Sequence, residues 1–293
     1  MAELSRKKNI VKKCCIIGLG LIGGSLGLAF GKYGIAFERW GNDADPRAME
    51  KAVKSGAVDK TAPLPEALEG AELVILAAPV GKIPALLEEI APHVVDNKTL
   101  VTDVGSSKRA IVAAMQRVLP GLCLGGHPMA GSELSGIEAA DPDLFTKAVY
   151  FLIPDADTPT HKVELMEKII LAIRARPMLI NAEEHDRIMA PLSHLPKLIS
   201  SGLVNVLGRY REEYRAIFSL AGTGFKETTR IAAGNPQLWL DIFESNKDNL
   251  KEALSLFLQE IQTMIVYLDE EDKSGLYGSL QKAASLRSHL PGK

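Results

Sequence analysis

Three glycines, Gly18, Gly20 and Gly23, are the most sharply patterned residues, in the run Gly18-Leu19-Gly20-Leu21-Ile22-Gly23. The run follows an apolar, β-type segment and opens a helical one, the setting in which such a turn receives a pyrophosphate. The first glycine permits the tight turn, the second lets the backbone approach the phosphates, and the third lets helix pack on strand. Free N–H groups of the first helical turn and the helix dipole then face the anion. About 20 residues further on, where the dinucleotide fingerprint needs an acid, stands Asp43. A carboxylate there accepts hydrogen bonds from both ribose hydroxyls of NAD and repels the 2′-phosphate of NADP. NAD is therefore the expected cofactor, although Arg39 and Arg47 lie close enough in sequence to soften the preference. Open α/β sheets bind ligands at the carboxyl ends of their strands, and three further turns sit there. They are Ala77-Ala78-Pro79-Val80, Thr102 to Lys108, and Gly125 to Glu133. The expected cofactor contacts are Gly18, Gly20, Leu21, Ile22, Gly23, Asp43, Ala78 and Pro79, with Ser106 and His127 near the nicotinamide edge.

Positioning these turns requires a parallel sheet covered on both faces. Short apolar runs at 13–17, 37–41, 73–77, 99–102, 122–124, 150–153 and 178–180 read as strands. Between them, 46–55, 83–90, 108–118 and 161–175 space their apolar residues three and four apart, as covering helices do. After Ile180 the pattern is helical throughout. Residues 182–207 read as one long helix capped by Asn181, with Pro191 and Pro196 as candidate kinks. Leu250, Leu254, Phe257, Ile261, Ile265 and Leu268 form an apolar stripe that needs a partner surface. The expectation is an α/β protein: a Rossmann-type, mostly parallel sheet domain over 10–181, then an all-α substrate-binding and dimerisation domain over 182–293. A small helical domain buries limited core alone, so a homodimer through the C-terminal helices is expected.

Composition narrows the function classes. The 293 residues are 46% hydrophobic and 24% charged with a net charge of −2, a folded chain with no basic excess to drive nucleic-acid binding. Cys14, Cys15 and Cys123 form no CxxC pair and no metal-ligand spacing, so no metal is expected and a cytoplasmic setting fits. Cys14 and Cys15, adjacent on a strand, should point to opposite faces as small buried hydrophobes. Basic residues precede the uncharged run from Cys14 to Gly31, as they would in a signal peptide or membrane span. The glycine density of that run fits a strand, turn and helix instead, so no membrane association is expected.

Five stretches in order carry a resemblance: GLGLIGGS at 18–25, TDVGS at 102–106, GGHPMAGSE at 125–133, SHLP at 193–196 and GFKETTRIA at 224–232. With them the chain resembles, over nearly its whole length, the prephenate dehydrogenase family, also called the cyclohexadienyl or arogenate dehydrogenases, of tyrosine biosynthesis. The resemblance implies oxidative decarboxylation of prephenate to 4-hydroxyphenylpyruvate, with hydride passing from C4 of the ring to NAD. It makes His127 the base that takes the 4-hydroxyl proton and Ser106 the residue that orients the imidazole, unless Ser106 only caps the helix that follows. Arg230 matches the ligand of the ring carboxylate, where a guanidinium binds bidentately as a lysine cannot. Ser193 and His194 match contacts to the substrate side chain, with core packing the other reading for His194. Lys226, Glu227 and Glu133 resemble an ionic cluster near the site and the subunit contact.

The chain departs from the frequent SHLPH pattern by carrying Lys197 after Pro196. Lys197 either pairs with the side-chain carboxylate and favours prephenate over arogenate, or points into solvent. Arogenate dehydrogenation to L-tyrosine and a non-catalytic NAD-binding dimer are the alternatives. Hydroxyacid dehydrogenases and pyrroline carboxylate reductases share the architecture without needing the His127 and Arg230 motifs. No room is expected after the helices for a separate regulatory domain.

Overall fold

A computed structural model describes residues 9–94, 97–132 and 134–290. Eight strands form one sheet: β1 (Val11–Ile17), β2 (Ala36–Asn42), β3 (Lys60–Thr61), β4 (Leu73–Leu76), β5 (Leu100–Asp103), β6 (Cys123–Pro128), β7 (Val149–Ile153) and β8 (Arg176–Leu179). Their order is β3-β2-β1-β4-β5-β6-β7-β8. Pairing is parallel from β3 to β6, with Cys14 opposite both Arg39 and Leu73. β7 runs antiparallel to β6, Gly126 opposite Leu152, and β8 runs parallel to β7. The order reverses between β1 and β4, so the turns after those two strands flank the crevice where doubly wound sheets hold dinucleotides.

The helices of the sheet region are α1 (Leu21–Tyr33), α2 (Pro46–Lys54), α3 (Leu64–Leu68), α4 (Ile83–Ile90), α5 (Arg109–Val118) and α6 (Thr160–Ala172). Then follow α7 (Ala182–Met189), α8 (Leu195–Arg209), α9 (Thr223–Thr229), α10 (Pro236–Ser245), α11 (Lys247–Asp269) and α12 (Lys273–Ser288). Strand alternation sorts the core onto two faces. Cys14, Ile16, Leu73 and Ile75 pack with Leu26 and Phe30 of α1 and with Met166 and Ile170 of α6. Cys15, Ile17, Val74 and Leu76 pack with Ile83 and Leu87 of α4 and with Ile111 and Met115 of α5. Cys14 and Cys15 are thus on opposite faces, both buried, and burial pushes their thiols far up, Cys15 to about 12.

Three features differ from the sequence expectation. The two-residue β3 is too short to leave a periodicity. β6 extends to Pro128, so Gly125, Gly126 and His127 lie on a strand and not in a turn. Glycine permits this, because a Cβ on Gly126 would lie 2.6 Å from the Asp103 carbonyl oxygen. The long helix from Ala182 is divided: Asn181 caps α7 by accepting from Glu184 N (2.8 Å), but a π-helical turn at Ala190–His194, with Pro191 at its start, separates α7 from α8.

By compactness the chain divides into two units, the first ending at Asn246 and the second beginning at Lys247. The first holds α7–α10 with the sheet because Met189 and Ile188 pack on Phe151, Ile153 and Val112, and Ile242 joins the core under α4. The second consists of α11 and α12, with Asp272 capping α12 by accepting from Gly275 N (2.9 Å). Along the expected stripe Leu250 is buried, but Ile261, Ile265 and Leu268 are 37%, 48% and 63% exposed. Among the described residues, no helix is long and apolar enough to cross a membrane.

The glycine turn is built as its pattern requires. Gly18 has φ of 97°, and a Cβ on Gly23 would lie 1.9 Å from the Gly18 carbonyl oxygen, whereas one on Gly20 would meet nothing within 4 Å. Gly23→Ala is therefore expected to lower unfolding free energy by roughly 1–3 kcal/mol or more, as overpacking against backbone does. Gly20→Ala should leave the urea midpoint unchanged; equal midpoints for both variants would contradict this packing.

Candidate active site

The carboxyl ends of β1, β4, β5 and β6 open on a cavity of ≈ 610 Å³, within the range of small-molecule sites. One end is lined by Gly20, Leu21 and Ile22 at the start of α1 and by Ala77, Ala78 and Pro79 after β4. The other end brings together Ser106, His127, Ser193, Arg230 and Trp239. Residues more than a hundred positions apart in sequence, His127 and Arg230, therefore face one space.

The glycine end suits a dinucleotide. The open space at Gly20 is where a Cβ would obstruct a phosphate, and α1 presents its unpaired first-turn amides beside it. Asp43 is anchored next to the turn: its Oδ2 accepts from Leu19 N (2.7 Å) and its Oδ1 from Asp45 N (2.8 Å). Each oxygen keeps a lone pair for a further donor such as a ribose hydroxyl. Of the two arginines that softened the NAD preference, Arg39 is engaged elsewhere, while Arg47 stays exposed beside Asp45. Arg39 binds Asp59 and the carbonyls of Gly27 (3.1 Å) and Gly56 (2.8 Å), and Arg47 pairs with Asp45.

His127 is 8% exposed at the floor of the other end. Its Nδ1 lies 2.8 Å from Nε2 of His185, whose Nδ1 lies 2.8 Å from Oδ1 of Asp186. The same carboxylate accepts from the backbone amides of Lys108 (2.7 Å) and Arg109 (3.0 Å) at the start of α5, where the helix dipole favours an anion. The chain of bonds fixes the protons. Asp186 only accepts, so His185 carries its proton on Nδ1 and offers Nε2 as acceptor; His127 then donates from Nδ1 and keeps its Nε2 lone pair free. Phe151 packs edge-on against His185 at 5.3 Å between centroids, keeping water from the pair. Burial, with His185 and the Lys108 ammonium nearby, holds the His127 imidazole well below its ordinary pKa of 6.5, and burial likewise lowers His185.

Beneath His127 a second buried pair clamps the strand. Asp103 accepts from the amides of Gly105 (2.7 Å) and Gly126 (3.0 Å), while Lys108 Nζ bonds to Asp103 and donates to the Gly126 carbonyl (2.7 Å). Both backbone polar groups of the residue before His127 are thus held by side chains, on the side of β6 where the pairing with β5 has ended. Burial pulls the Lys108 ammonium down and Asp103 opposes it.

Comparisons with known proteins place the chain in a family. The family model described as prephenate dehydrogenase, nucleotide-binding domain, matches residues 26–179, and the one described as prephenate dehydrogenase, dimerization domain, matches 181–282. A prephenate dehydrogenase of Bacillus subtilis is 34% identical over 94% of this chain and 75% of its own. The chain belongs to the prephenate dehydrogenase family. Among solved structures, prephenate dehydrogenase from Aquifex aeolicus in complex with hydroxyphenyl propionate and NAD+ superposes with a TM-score of 0.90. It is 26% identical and covers 96% of this chain and 98% of its own. Synechocystis arogenate dehydrogenase gives 0.79 at 29% identity, covering 94% and 99%.

Family membership gives the motif residues their setting, and the structure rearranges several of them. Ser106 lines the cavity, but the Nδ1 partner of His127 is His185 in place of Ser106. His194 is fully buried and does not line the cavity. Its Nδ1 accepts from Asn246 Nδ2 (3.2 Å), leaving Nε2 without a partner among the described residues, and burial lowers its pKa to about 4. Ser193 does line the cavity. Lys197 meets neither expectation: it is buried, and it donates to backbone carbonyls after Arg230 instead of facing solvent or the cavity. Lys226 and Glu227 are exposed on α9 and away from the cavity lining, and Glu133 lies outside the described residues.

His185, Asp186, Asp103 and Lys108 were passed over in the sequence. The signal for the first two was an adjacent His and Asp, buried in a helix whose pattern otherwise exposes charge. Asp186→Asn removes the one group that accepts from all three donors, and its amide turned to His185 reverses the proton order along the chain. Nitrogen NMR of the imidazoles is expected to show the His127 proton on Nδ1 in the parent and displaced toward Nε2 in the variant; an unchanged tautomer would remove Asp186 from control of the base.

Proposed function

We propose that the protein is an NAD-dependent prephenate dehydrogenase, converting prephenate to 4-hydroxyphenylpyruvate and CO2. The observation that carries this reading is one cavity with a base of fixed tautomer and a guanidinium, joined to a dinucleotide turn. NAD, when bound, supplies the hydride acceptor. His127 Nε2 takes the proton of the 4-hydroxyl as the C4 hydride leaves, and the charge arriving on the imidazole is stabilised through His185 and Asp186. Arg230 holds the ring carboxylate, and Ser106 and Ser193 offer hydroxyls within the cavity. Loss of CO2 follows because the ring becomes aromatic. With Arg39 engaged by Asp59, the 2′-phosphate of NADP meets the Asp43 carboxylate, which favours NAD.

The 10–181 and 182–293 domains serve cofactor binding and subunit contact respectively. The exposed apolar residues of α11 and α12, including Leu280 and Leu286, suit a homodimer through these helices. Three buried thiols fit a cytoplasmic location.

NADH absorbance on mixing the protein with NAD and prephenate tests the reaction directly; absent turnover with retained NAD binding would favour a non-catalytic dimer, and turnover only with arogenate would change the substrate. His127→Asn is expected to lower kcat by about 10²–10⁴-fold and leave NAD binding intact. Arg230→Gln should raise KM for prephenate roughly 10- to 100-fold, the loss of one or two charged hydrogen bonds, and an unchanged KM would misplace the carboxylate.

The reaction needs a neutral imidazole, and burial lowers the pKa of His127, so protonation sets in only well below pH 6.5. The logarithm of kcat/KM is therefore expected to stay flat through pH 6.5 and to fall only at lower pH, because kcat/KM reports groups of the free enzyme. An acid limb centred at or above 6.5 would contradict the buried neutral base.

A further inference from the structure

Lys197 sits on α8 with 4% of its surface exposed. Its ammonium meets three backbone oxygens at the C-terminal end of the 3-10 turn Arg230–Ala233: Ile231 O and Ala232 O at 2.8 Å and Gly234 O at 3.4 Å. The nitrogen also lies 5.6 Å from the centroid of the Trp239 ring. An ammonium has three donors, so all are used. A cation is favoured there by the negative end of the helical turn and by the aromatic face. Burial lowers the Lys197 pKa, so this position has a desolvation cost that the carbonyls offset.

What Lys197 holds is one wall of the cavity. Arg230, Ile231, Gly234 and Trp239 all line it. The segment is a single 3-10 turn, Ile231 and Ala232 are half-buried, and none of its residues is fully buried. We propose that Lys197 is a positioning residue for Arg230, fixing from α8 the turn that carries the guanidinium and so setting affinity for the ring carboxylate of the substrate without touching it. This rests on the reading of Arg230 given above. It also assigns to this chain an internal tie at a position where a direct contact to the substrate side chain was expected.

Lys197→Met keeps the aliphatic stem and removes the donors. It is expected to raise KM for prephenate about tenfold, the loss of one charged hydrogen-bonded anchor, with KM for NAD unchanged. Inhibition by 4-hydroxyphenylpyruvate, which has the side-chain carboxylate but lacks the ring carboxylate, should be unaltered. Amide hydrogen exchange should quicken over 230–236 and not in the sheet, and Lys197→Met should add nothing to the KM of Arg230→Gln. Lys197→Arg, keeping charge and donors, should fall between parent and Met. If Lys197→Met does not fold, Lys197→Gln serves the same comparison.

Equal weakening of prephenate and 4-hydroxyphenylpyruvate would put Lys197 on the side-chain carboxylate and overturn the proposal. Unchanged KM with unchanged exchange would overturn it as well. If the parent protein does not turn over prephenate, the functional reading fails separately. Exchange over 230–236 then decides the tie alone: faster exchange in Lys197→Met supports it, and unchanged exchange overturns it.

Discussion

The Asp186 carboxylate, fully buried, accepts from His185 Nδ1 and from the first two amides of α5. A carboxylate in such a place is tolerated only with its lone pairs satisfied, and here all three donors come from elements that meet at the site. Through one of them it sets the tautomer of His185 and thereby of His127. Through the other two it joins α7 to the helix following β5, so the proton order and the placement of the helical segment are one arrangement. Catalytic histidines are commonly oriented by a carboxylate on the far nitrogen; this site inserts a second imidazole between them.

Beside this chain, the Asp103–Lys108 pair performs a mechanical task. A strand that outlasts its neighbour leaves its backbone groups unpaired, and β6 does so at Gly126. The pair supplies an acceptor and a donor of the right spacing, and the absence of a side chain on Gly126 lets Asp103 approach. The ion pair is therefore tied to the extension of β6, and the extension puts His127 on a rigid strand. Its charge also acts on the base, since the Lys108 ammonium disfavours protonation of His127. A neutral base ready near neutral pH follows from burial and from this cation together.

The Arg230 wall is held differently. Sheet strands and α5 pack in apolar cores, whereas the turn Arg230–Ala233 lies outside those cores and is met by the Lys197 ammonium of α8. The cavity thus joins an end built on a packed strand, with His127, to an end built on a tethered turn, with Arg230.

His127 and Arg230 were named only by the family resemblance, while the sequence by itself determined the doubly wound sheet, the glycine turn with Asp43 and the opposite faces of Cys14 and Cys15. These are local properties: strand alternation, helical spacing and the backbone freedom of glycine act over a few residues and leave a periodic record. Only the tertiary structure decided which residue meets His127 Nδ1, why β6 runs on to Pro128, that His194 is buried beside Asn246, and that Lys197 faces inward. Each of those depends on partners far apart in sequence, such as Lys108 with Asp186 or Lys197 with Ala232. A buried polar residue and a solvated one are identical in sequence; they differ in whether the fold brings acceptors or water to them.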